Sequence, residues 1–97
     1  MAAPKHLSKP AKTWWRKIQA EYSITDQAGH LLLQTALEAF DRMKEAQERI
    51  ATDGLMVKDR FEQDKQHPLL TVERDSRSQM LLALKALQLD VDPSQEA

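Results

Sequence analysis

The chain has 97 residues, with 14 Lys or Arg against 15 Asp or Glu and no Cys, which bounds it to one small domain or one protomer of an assembly. A net charge of −1 argues against a wholly basic nucleic-acid binder, and the lack of Cys excludes a disulfide framework and a thiolate metal site. No apolar run is long enough to span a bilayer, and no apolar core follows Lys5 and Lys9 as a secretory signal requires.

Residues 1–8 read as a flexible basic arm. Ser8 can cap a helix over about 9–22, and Pro10 is tolerated in its first turn. Trp14, Ile18 and Tyr22 follow i, i+4, i+8 spacing on one face, with Trp15 beside them, while Lys9, Lys12 and Arg16 share another flank. The adjacent tryptophans point about 100° apart. One suits the core and the other a subunit interface or, in a sharper reading, stacking on bases.

A second helix is predicted over about 25–53, with Thr25 as its cap and Asp26 favouring the N-terminal end of the helix dipole. Its apolar stripe runs through Leu33, Leu37, Phe40, Met43 and Ile50, and Gly29 weakens it by about 1 kcal/mol relative to Ala. Glu38–Arg42 and Glu45–Arg49 are i, i+4 pairs in the favourable order. Gly54 suits the residue past the helix end. Residues 55–61 then read as a short strand or extended arm, and 62–66 as a polar turn. His67 precedes Pro68 and marks a boundary. A third helix follows over about 69–87, with Val72, Met80, Leu84 and Leu87 on one face, and 90–97 form an acidic tail. The expected fold is therefore all-α: one helical domain over 9–89, with a long central helix and a short extended or β-like segment before the last helix.

Charge is unevenly spread. Residues 1–22 hold Lys5, Lys9, Lys12, Arg16 and Lys17 against Glu21 alone, and the remainder holds 9 basic and 14 acidic residues. The N-terminal cations can contact phosphates and release counterions from DNA, or they are a solvated lysine-rich helix start. Catalytic chemistry finds little support. His6, His30 and His67 fall in separate elements without metal-ligand spacing, the carboxylates are mostly interleaved with cations, and two glycines cannot build a phosphate loop. No cofactor is expected.

The order of parts resembles the small subunit of tailed-phage terminases. The resemblance is carried by Leu7-Ser8-Lys9-Pro10 with Trp14, Trp15, Ile18 and Tyr22; by Leu31-Leu32-Leu33 through Ala36-Leu37-Glu38-Ala39, Asp41-Arg42 and Gly54-Leu55; and by His67-Pro68, Glu73-Arg74-Asp75, Arg77, Leu84, Leu87 and Leu89. The chain departs from the family at Gln63, in the turn where Gly is common, which argues against a tight hairpin there.

The resemblance implies a non-catalytic subunit that binds double-stranded viral DNA and regulates a separate large subunit bearing ATPase and nuclease, in the cytoplasm of the bacterial host and as a ring of identical copies. The DNA contact would then fall to Lys5, Lys9, Lys12, Arg16 and Lys17. Assembly would fall to Leu33, Leu37, Phe40, Met43 and Ile50, with Arg74 or Arg77 bridging to a neighbour, and large-subunit docking to Asp90, Asp92 and Glu96. Two plainer alternatives stay open: the central stripe packs only within its own chain, and Glu73 with Arg77 is a structural i, i+4 pair. The alternative function is a helical protein–protein adaptor or scaffold without DNA binding.

Overall fold

A computed structural model describes residues 2–87. Three helices, α1 (Lys9–Tyr22), α2 (Gln27–Asp53) and α3 (Leu69–Ala86), frame a hairpin of β1 (Met56–Lys58) and β2 (Asp64–Gln66). The expected all-α architecture with a β-like excursion is the one observed.

Helix α1 begins at Ser8, whose hydroxyl accepts from the Ala11 N–H at 3.2 Å. The same residue ties the helix to α2. Its N–H donates to Asp41 Oδ2 at 2.9 Å and its hydroxyl donates to Asp41 Oδ1. His6 Nε2 meets Glu38 Oε2 at 2.7 Å, and Leu7 is buried in the core. The segment expected to be a free arm is thus fastened at residues 6–8, because Leu7 gains burial and Ser8 finds a carboxylate.

The buried face of α1 is rotated from the expected one. Trp15 is 2% exposed, whereas Trp14 and Tyr22 are 47% and 42% exposed. Leu7, Ala11 and Trp15 pack with Leu33 and Leu37 of α2, and Ile18, Ile24, Phe40 and Leu87 flank them. Trp15 stacks on His30 with ring centres 5.9 Å apart, and His30 Nε2 donates to the Ile24 carbonyl at 2.9 Å. Ala11 decides the orientation: its small side chain lets α1 lie close to α2, which carries Trp15 inward. Ser23 closes the helix in the left-handed conformation (φ 50°, ψ 51°).

The cap of α2 is Asp26 rather than Thr25. Its carboxylate accepts from the Gly29 N–H at 3.0 Å. Gly29 is not merely a weak point. A Cβ there would lie 2.6 Å from Ile24 Cγ2 and 2.7 Å from Asp26 Oδ1, so the capped turn folds over a position that has no room for a side chain. Gly54 ends the helix at φ 86°, ψ 167°, a backbone conformation essentially confined to Gly.

The hairpin does close, with register Met56↔Gln66, Val57↔Lys65 and Lys58↔Asp64. Residues 64–66, expected to belong to a polar turn, form its second strand. Gly is dispensable because Asp59 organises the loop: its Oδ1 accepts from the N–H groups of Phe61 at 2.8 Å and Gln63 at 3.0 Å. The positive φ of 62° falls on Glu62, not Gln63. The hairpin returns to the helices at His67, whose N–H donates to the Leu55 carbonyl at 2.8 Å. Its Nδ1 accepts from the Leu69 N–H at 3.1 Å, which leaves the Nε2 proton for Asp53 Oδ2 at 2.9 Å. Buried His67 therefore joins the end of α2 to the start of α3.

Helix α3 runs antiparallel to α2. Gln47 donates to Glu73 Oε1 at 3.1 Å and Arg42 donates to Gln79 Oε1 at 3.0 Å. The buried positions of α3 are Glu73, Ser76 and Ala83, facing a helix whose buried set includes Ala36, Ala39, Met43 and Ala46. Val72 and Leu81, expected on or beside the inner face, are exposed. Small residues on both helices permit close approach, so α3 turns that side inward and keeps Glu73 satisfied by Gln47 and Arg77. Neither expected surface pair of α2 forms, since Arg42 reaches Gln79 of α3 and Arg49 turns to Asp53, a different i, i+4 partner on its own helix.

Two outcomes follow from this packing. Gly29→Ala should lower the midpoint of thermal unfolding although Ala is the better helix former, because overpacking costs about 1–3 kcal/mol against a propensity gain of about 1 kcal/mol. The hydrogen bond from His67, and then that from Arg49, holds the Asp53 carboxyl below its ordinary value, as Gln47 and then Arg77 do for Glu73. Both contributions are present above the usual carboxylate range near about pH 4 and are lost as pH falls through the lowered folded values. Melting temperatures recorded between about pH 6 and pH 2 should fall, and Glu73→Gln should flatten that dependence.

Candidate nucleic-acid interface and assembly surfaces

The inward rotation of Trp15 leaves the cationic flank of α1 facing outward. Lys9 and Arg16 are exposed on it and Lys12 is half-buried, while Lys5 and Lys17 are exposed beside it. Lys17 Nζ lies 5.2 Å from the centre of the Trp14 ring, a cation–π contact that holds one ammonium near the apolar edge of the helix. None of the five cations forms an ion pair among the described residues. The acid of α1, Glu21, sits at the opposite end from Lys9. The five residues expected to face phosphate therefore carry charge without an ion-pair partner among the described residues, four on α1 and Lys5 on its lead-in.

The expected assembly residues divide. Leu33, Leu37 and Met43 are buried within their own chain, at 0%, 4% and 9% exposure. They are taken up by α1 and α3 because a helix of this length needs both partners to cover its stripe. Phe40 and Ile50 are half-buried and keep some accessible surface. Arg77 is held by Glu73 of its own helix, and Arg74 Nε lies 3.3 Å from Asp75 Oδ1, so both guanidinium groups already have local partners. Asp90, Asp92 and Glu96 lie outside the described residues.

Other surfaces went unnoticed in the sequence. Leu55, Met56 and Phe61 stand exposed on the hairpin, and Leu81 and Leu82 on the outer side of α3. A groove of about 260 Å³ runs between the three helices, lined by Trp14, Ile18, Leu37, Phe40, Met80 and Leu84 among others. Phe40 also borders a second, acidic cleft of about 360 Å³ that includes Asp41, Lys44, Glu45 and Glu48. Phe61 carried a usable signal, an aromatic residue within a polar turn; the clefts carried none, since they arise where separate elements meet.

Among the described residues no group of His, Asp or Glu is arranged to hold a metal ion, and no helix is long and apolar enough to cross a membrane. No curated protein and no solved structure matches the chain. Residues 11–97 match the family described as phage terminase, small subunit, a span that takes in most of α1, the whole of α2, the hairpin and α3. The chain belongs to the phage terminase small-subunit family, and its role lies in phage DNA packaging.

Proposed function

We propose that this chain binds double-stranded viral DNA at the start of packaging, assembles with copies of itself into a ring, and regulates the large subunit that carries the ATPase and nuclease. It acts without catalysing a reaction itself, in keeping with a family that is generally the non-catalytic subunit. The observation that carries the DNA reading is the outward flank of α1. Lys5, Lys9, Lys12, Arg16 and Lys17 gather on one element and its lead-in with no ion-pair partner among the described residues. Unpaired surface cations cost no competing salt bridge when they move onto phosphate, and the release of condensed counterions supplies affinity without base readout.

A single copy offers few phosphate contacts, and repetition of the flank around an assembly turns modest contacts into strong retention through effective concentration. Self-assembly is also favoured by the apolar surface that the protomer leaves open at Trp14, Phe40, Leu81 and Leu82. The acidic residues Asp90, Asp92 and Glu96 are assigned to large-subunit docking. The setting is the cytoplasm of an infected or lysogenic bacterium, where the replicated viral DNA is packaged.

The triple variant Lys9→Ala, Lys12→Ala, Arg16→Ala tests the DNA role. Retention of duplex DNA should fall, and the slope of log affinity against log salt should become shallower by about 2 to 3, with helix content by circular dichroism unchanged. Undiminished retention would instead favour a helical adaptor that joins proteins and does not touch DNA.

A further inference from the structure

We propose that the tip of the hairpin is an assembly contact, with Arg60 and Phe61 of one copy seated in the acidic Phe40 cleft of a second copy. This rests on the self-assembly reading above and names the surfaces that would meet.

The hairpin lacks support within its own chain. From Gly54 to Gln66, only Val57 and Asp59 are even half-buried. Neither strand packs extensively on a helix. A two-stranded hairpin alone is marginally stable in water, and this one also exposes Leu55, Met56 and Phe61. Yet its tip is well defined. The Asp59 carboxylate holds the N–H groups of Phe61 and Gln63, and the Arg60 guanidinium lies 5.0 Å from the centre of the Phe61 ring. Phe61 is 68% exposed. A preformed arginine–aromatic pair on a fastened loop has the residue types that anchor interfaces, with little conformational freedom left to lose.

The cleft on α2 is its chemical complement. Glu45 and Glu48 line it and form no ion pair among the described residues, because Arg49 is drawn away to Asp53 and Arg42 to Gln79. Asp41 is already hydrogen-bonded to Ser8, so the carboxylates left to engage an incoming cation are those of Glu45 and Glu48. His6 at its edge is joined to Glu38, outside the cleft lining. Phe40 supplies an apolar surface for Phe61, Glu45 and Glu48 supply carboxylates for Arg60, and Lys44 offers a partner for Glu62 beside the tip. This matching of both signs and of the aromatic surface selects a second copy as the occupant. The donating tip and the accepting cleft are different surfaces, so the contact is head-to-tail, the kind that closes into a ring when the rotation between copies permits.

The test is solution mass by light scattering over a range of concentrations, for the full chain, for Arg60→Glu, for Glu45→Arg with Glu48→Arg, and for all three changes in one chain. The unmodified chain should assemble. Each single-sided reversal should raise the concentration for half-assembly by about tenfold or more, and the combined reversal should restore assembly, with helix content constant throughout. Should a reversal disturb folding, Arg60→Ala reads the same loss.

Undiminished assembly of both single-sided variants would overturn this contact and leave self-assembly standing. A monomeric unmodified chain would overturn self-assembly and the contact together. Undiminished mass with lost binding of purified large subunit would reassign the hairpin to that partner, and so overturn the second copy as its occupant.

Discussion

Everything in this molecule is arranged around the need to cover one long helix. At 27 residues, α2 extends about 40 Å, and its apolar stripe cannot face water along that length. Two shorter helices share the task. The 14 residues of α1 reach about 21 Å, and the 18 of α3 about 27 Å. The first shields Leu33 and Leu37, while the second returns antiparallel along the side of α2 that bears Ala39, Met43 and Ala46. Neither could be positioned by propensity alone. Asp41 fixes the start of α1 through Ser8, and Asp53 fixes the start of α3 through His67. Two carboxylates of α2, twelve residues apart in sequence number, thus set where each partner helix begins.

The same arrangement divides labour over the surface. Once Ala11 and Trp15 turn inward, Lys9, Lys12 and Arg16 point outward or to the flank, and none of them forms an ion pair among the described residues. On α2, Arg42 is drawn to Gln79 of α3 and Arg49 to Asp53 one turn further along its own helix, which leaves Glu45 without its expected local partner. A basic flank and an acidic cleft emerge on a chain of net charge −1, which is why overall charge says so little about binding. Surface ion pairs of the i, i+4 kind contribute only about 0.3–0.5 kcal/mol. A better-placed partner readily displaces them, across elements for Arg42 and one turn along the same helix for Arg49.

The hairpin shows how a loop can depart from a family's preferred chemistry without losing the turn. Gln63 would have required a strained conformation had it taken the left-handed position. The loop moves that position to Glu62 and uses Asp59 as an acceptor for two amides. The result is a rigid tip without Gly, and it leaves Arg60 and Phe61 on display.

What the sequence by itself determined is the order and type of the elements, the capping role of Ser8, the stop at Gly54 and the boundary at His67. Each rests on local chemistry: helical periodicity, a hydroxyl at an N-cap, a residue that tolerates positive φ, and the steric demand of Pro68. The distinctive order of these parts also carried the family resemblance. Which face of each helix turns inward was decided only by tertiary structure. Large residues dominate a periodicity argument, so Trp14, Tyr22, Val72 and Leu81 were expected on or beside inner faces. Close packing instead rewards small ones, and Ala11 and Ser76 took those places. The pairing of Arg42 with Gln79, the burial of Glu73 and the two clefts at Phe40 were likewise invisible in the sequence. They depend on residues brought together across elements, and no spacing along one chain encodes the distance between two helices.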